Sequence, residues 1–156
     1  MTTQPFQSLT SDDLIEKIDN VLETMCFVMA DPIEPEDVAE EPSVNAWIRY
    51  GNEAESGVVH LSATPGFVQE AASGLLGVDP EDIQTDGEAL ETLLELANVI
   101  GGEVVSLLGG EDVFFEMGLP SADSLELESP RETAAALFDS MGEAFRVEVQ
   151  RIGGVA

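Results

Sequence analysis

The chain has 156 residues, 44% of them hydrophobic, with 32 acidic and 5 basic side chains and a formal net charge of −27. That length suits one domain with a real core, and the hydrophobic content excludes an acidic disordered chain. The charge argues against nucleic acid and anionic membrane as partners, since both are polyanions, and no uninterrupted apolar run approaches the ~18–20 residues of a membrane span.

Residues 1–10 read as a flexible arm, with neither the basic region nor the apolar core of a signal peptide. Thr10 and Asp13 have capping-box spacing. Leu14, Ile15, Ile18, Val21, Leu22, Met25 and Met29 then recur at three- and four-residue steps, which predicts an amphipathic helix over 11–30. Cys26 borders that face and reads as a small buried apolar residue. As the one cysteine it forms no internal disulfide, so a cytoplasmic setting is expected. Residues 31–43 hold three prolines and six carboxylates, an exposed loop rather than a metal site. Val44–Tyr50 and Gly57–Ala63 read as a hairpin. His60 falls between Val59 and Leu61, on the other face of its strand, and a lone imidazole makes neither a triad nor a metal site.

Thr64-Pro65 starts a second helix, with Phe67, Val68, Ala71, Ala72, Leu75 and Leu76 as its buried face and Gly77 as its stop. Thr85 and Glu88 repeat the capping-box spacing and open a long helix over about 86–108. Leu90, Leu93, Leu94, Ala97, Ile100, Gly101, Val104, Val105 and Leu108 form a wide apolar stripe, widened by Leu96 and Leu107. Against it, Glu91, Glu95, Asn98 and Gly102 recur at steps of four, three and four, one narrow line along the same helix. Each mid-helix glycine of the Gly101-Gly102 pair costs about 1 kcal/mol relative to Ala, which calls for a close approach of backbone or partner. Val113–Met117 reads as a strand, Leu119–Pro130 as a loop, and Thr133–Asp139 with Ala144–Ile152 as a second hairpin, leaving 153–156 as a tail. The order gives one α+β domain over 11–152, with a long helix followed by a hairpin twice over.

The inventory of nucleophiles is poor. There is no G-x-S-x-G, no phosphate-binding Gly-Lys-Ser/Thr loop, no G-x-G-x-x-G and no Cys/His cluster. What remains is Glu95-x-x-Asn98. A carboxylate can pair with a partner's cation, and an amide three residues on can hold a water in line with a phosphoryl group.

The segment from Glu91 through Glu95 and Asn98 to Gly102 resembles the signature helix of the CheC/CheX family of chemotaxis phosphatases. Asn20–Met25 in the first helix and Gly57–Ser62 with the helix ending Gly74-Leu-Leu-Gly77 resemble the CheX branch, so that the likeness spans about 11–152. The resemblance implies long helices on an antiparallel sheet built from two helix-plus-hairpin halves. It implies that Glu95 pairs with a Lys of a phosphorylated CheY-like receiver domain, that Asn98 orients the attacking water, and that Gly102 leaves room for docking. The aspartyl phosphate and Mg²⁺ belong to the receiver, so neither a cofactor nor a metal is expected on this chain. A homodimer is implied as well. Glu91 faces the partner where the family prefers Asp or Ser, and Pro120 is the candidate for a proline beyond the Asn. In the first helix Glu16 is followed by Asp19 rather than Asn, and a single motif favours CheX. The alternatives are a non-catalytic module of the same fold that binds a signalling partner, and a structural protein of a high-salt cytoplasm.

Overall fold

The computed structural model describes residues 9–83, 87–109, 113–123 and 129–154. Helix α1 (Ser11–Cys26) is followed by β1 (Asp31–Pro32), β2 (Val44–Gly51) and β3 (Glu55–Ala63). Helices α2 (Pro65–Leu76) and α3 (Glu88–Gly109) come next, then β4 (Glu116–Met117), β5 (Glu132–Ser140) and β6 (Glu143–Gly154). The six strands form one antiparallel sheet in the order β1-β5-β6-β3-β2-β4. Hairpins β2–β3 and β5–β6 meet at the centre through β3 and β6, each with a two-residue strand on its outer edge. The expected pair of helix-plus-hairpin halves is present, with α2 added between them.

The three helices share one face of the sheet. Ile48, Val59, Leu61, Phe138, Phe145 and Val147 point into a single core with Leu14, Ile18 and Leu22 of α1, Phe67 of α2 and Leu93, Ile100 and Val104 of α3. Strand alternation puts Trp47, His60 and Glu148 on the other face, as period-two geometry requires. There the Trp47 and His60 rings stack at 3.6 Å, and His60 Nε2 lies 2.8 Å from Asn45 Oδ1. At one end of the sheet, buried Glu55 takes Arg151 Nε at 2.8 Å and Arg131 at 2.7 Å. Two of the five basic side chains are therefore committed to one internal carboxylate.

Several boundaries differ from expectation for local reasons. Thr10 caps α1 by accepting from the Asp13 amide at 3.1 Å, but the helix ends at Cys26, four residues short of 30. Phe27 turns into the left-handed region at φ 57°, and the Val28 amide closes on the Leu22 carbonyl. Met29, assigned to the buried stripe, is therefore exposed. Thr64 does not cap α2 with its side chain. Its hydroxyl instead accepts from the Ala144 amide at 3.1 Å, which ties the helix start to β6. Leu76 is exposed and Leu75 half-buried, because the end of α2 overhangs the core. The strand expected over 113–117 is only Glu116–Met117, and β6 runs on to Gly154, past the expected Ile152. Thr85 lies outside the described residues.

Candidate functional site

Helix α3 is built as a rigid carrier. Leu93, Leu96, Ala97, Ile100, Val104 and Leu108 are all buried and lay it across β2 and α2. Leu90, Leu94 and Val105, expected in the stripe, are only half-buried, while Leu96 lies at its centre. By length and composition α3 would suffice to cross a membrane, yet its apolar stripe is spent on the sheet and on α2. The two mid-helix glycines have different reasons. A Cβ on Gly101 would lie 2.7 Å from Met117 Cε and 3.1 Å from Ile48 Cγ2, so the helix rides directly on the sheet there. A Cβ on Gly102 would meet nothing within 4 Å. Only Gly102 leaves open space, and it does so on the line that carries Glu91, Glu95 and Asn98.

Those three side chains are exposed. Residues three and four apart on a helix are surface neighbours, about 5–6 Å between Cβ atoms, so Glu95 reaches both Glu91 and Asn98. Among the described residues, neither Glu95 nor Asn98 has a hydrogen-bond partner within the chain. A carboxylate and an amide are thus held side by side on a fixed backbone with their bonding capacity free. Beside them a groove of about 250 Å³ runs between α2 and α3, lined by Leu75, Leu76, Glu88, Glu91, Thr92 and Glu95. Its walls are apolar on the α2 side and acidic on the α3 side. Among the described residues no basic side chain lines it.

The structure places the other reactive groups elsewhere. Burial pushes the Cys26 thiol up to about 11, which leaves it protonated and inert. Burial also holds the His60 imidazole below its usual value, and it sits on the sheet face opposite the helices. Among the described residues no group of three or more His, Cys, Asp or Glu converges as a metal site. A larger cavity of about 620 Å³ is lined by Arg49, Tyr50, Asn52, Phe114 and Glu116 at the β2 edge and takes nothing from α3. Leu75 and Leu76, read from periodicity as core, are walls of the groove instead. The signal for this was their place in the last turn before the Gly77 stop, where a helix runs past its support.

The family described as "Chemotaxis phosphatase CheX" matches residues 44–138, more than half of the chain and the whole of the Glu91–Gly102 line. No curated protein matches. Among solved structures, the chemotaxis protein CheX from Vibrio vulnificus superposes with a TM-score of 0.72 at 18% identity, over 90% of this chain and 94% of that one. A putative chemotaxis protein from Desulfovibrio vulgaris Hildenborough gives 0.71 at 20% identity, over 95% and 99%. The CheX-CheY-BeF3-Mg complex from Borrelia burgdorferi gives 0.67 at 18% identity, over 91% and 97%. At these identities the solved structures speak for the fold, and the family match over residues 44–138 makes this chain a member of the CheX family.

Proposed function

We propose that this protein accelerates hydrolysis of the aspartyl phosphate on a CheY-type receiver domain. The observation that carries the reading is the free Glu95–Asn98 pair on the exposed line of a backbone fixed by its buried stripe, in a CheX family member. In this reading the protein supplies no nucleophile. The Asn98 carboxamide enters the receiver's active site and accepts from a water while donating to its surroundings, holding the water oxygen in line with the phosphorus. Attack forms the new P–O bond, the bond to the Asp oxygen breaks, and inorganic phosphate and the free carboxylate leave. Glu95 pairs with a receiver Lys and fixes the register. Mg²⁺ is held by the receiver's own carboxylates. Both residues come from one helix of one chain, so a homodimer would carry two complete sites. The setting is the cytoplasm, where receiver domains are phosphorylated.

The second reading is a module that docks the receiver without turnover. It is favoured by Glu91, whose carboxylate adds a third negative charge to the groove wall beside Glu88 and Glu95. The test is the decay of a phosphorylated CheY-type receiver in Mg²⁺, alone and with this protein. Faster decay supports the phosphatase; binding with unchanged decay leaves the module.

A further inference from the structure

Of the five basic side chains, Lys17 and Arg49 are exposed, and Arg131 and Arg151 bind Glu55. Arg146 of β6 is different. It is half-buried, its Nε is buried with no hydrogen-bond partner, and among the described residues it forms no ion pair. In a chain with 32 carboxylates, a partly desolvated guanidinium without a counter-charge is unexpected and costly.

Arg146 lies under a strap. The Ile33 amide donates to the Leu137 carbonyl of β5, and the Ser43 amide donates to the Ala63 carbonyl of β3, both at 3.0 Å. Because β6 lies between β5 and β3, the chain has to cross it between those two bonds. Alternation with Phe138 and Phe145 of the core puts Leu137 and Arg146 on the sheet face away from the helices. Strap and sheet share a cavity there of about 460 Å³, a usual size for a small-molecule site. Ile33, Val38 and Leu137 give it apolar walls, Arg146 is its one cation, and Asp12, Glu34 and Glu41 are its carboxylates. Opposite charges thus line one cavity without pairing.

That pattern selects a ligand. The planar guanidinium fork suits a carboxylate. The charge of −27 repels any molecule that is a net anion, so the carboxylate has to arrive with a cation of its own. The acidic groups of the strap suit that cation, and the apolar walls suit a hydrocarbon body. We infer that this cavity binds an apolar zwitterion of the amino-acid type, a free amino acid or a short peptide. Its carboxylate pairs with Arg146, its ammonium with Glu34 and Glu41, and its side chain packs on Ile33, Val38 and Leu137. The site lies on the face opposite α3, separate from Glu95 and Asn98, and stands whether or not the protein is a phosphatase.

Calorimetric titration of the full chain with L-leucine and with L-leucyl-L-leucine tests it and tells the two sources apart. At least one binds with a Kd below about 1 mM. Its amide, which lacks the carboxylate, and its N-acetyl form, which lacks the ammonium, each bind roughly tenfold more weakly or worse. Arg146→Gln loses affinity by a similar factor. So does the double variant Glu34→Gln with Glu41→Gln, whose two side chains are exposed and are not needed for folding. No binding of either zwitterion up to ~10 mM overturns the inference. Affinity unchanged in both variants overturns it as well, and so does an N-acetyl form that binds as tightly as its parent.

Discussion

Replacing Gly102 should stabilise the protein while weakening its function. The residue sits inside a 22-residue helix, where Gly costs about 1 kcal/mol relative to Ala. A Cβ there meets no atom within 4 Å, so Gly102→Ala takes the full gain with no clash. For a chain of this size about 1 kcal/mol raises Tm by roughly 2–4 °C. Gly101→Ala makes the same change one residue earlier with the opposite balance. Its Cβ would press on Ile48 Cγ2 at 3.1 Å and Met117 Cε at 2.7 Å. An overpacking cost of about 1–3 kcal/mol then cancels or exceeds the gain. Thermal denaturation of the two variants beside wild type reads the difference directly. Equal shifts would refute the claim that α3 presses on the sheet at one glycine and faces open space at the other. The functional half uses Gly102→Leu, which keeps the helical gain and fills the room beside Asn98. It should melt above wild type yet show a lower kcat/KM on phosphorylated receiver. An unchanged kcat/KM would remove docking as the reason for the glycine.

Two further outcomes follow from the sheet. Glu55→Ala strips the buried Arg151 of its main partner and should cost about 3–5 kcal/mol in urea unfolding, whereas loss of an exposed carboxylate such as Glu36 costs next to nothing. Burial holds the His60 imidazole below its ordinary pKa of about 6.5, so the unfolded chain binds the proton more readily. Stability contributed by His60 is then complete above about pH 7.5 and is lost as pH falls through about 6.5. His60→Asn should flatten Tm across that window, and an undiminished slope would show that other groups cause it.

Much of the fold was legible because its signals are local. The alternation of Phe145, Val147 and Val149 specified β6, and the turn at Met141-Gly142 specified its pairing with β5. The long helix showed itself through the stripe ending at Leu108, and the Glu91–Gly102 line through a polar run interrupting that stripe. The errors fell where tertiary contact decides. Nothing local in Phe27 announces a left-handed cap, so apolar periodicity alone carries α1 four residues too far. The hydroxyl of Thr64 was read as a cap because its bond to Ala144 spans 80 positions. Leu75 and Leu76 fit the helical period of α2, and only the placement of α3 beside them turns them into a groove wall. The two glycines looked alike in sequence. Which one touches the sheet depended on the register of α3 over Ile48.

The most direct test of the account is Asn98→Ala, assayed for both binding and turnover on a phosphorylated CheY-type receiver in Mg²⁺. The Asn98 side chain is exposed and, among the described residues, makes no hydrogen bond, so the variant should fold as wild type does. Receiver affinity should be unchanged while the acceleration falls about 10²-fold or more, as for removal of a group that positions a reacting water. An Asn98→Ala protein that speeds the decay as well as wild type would contradict it.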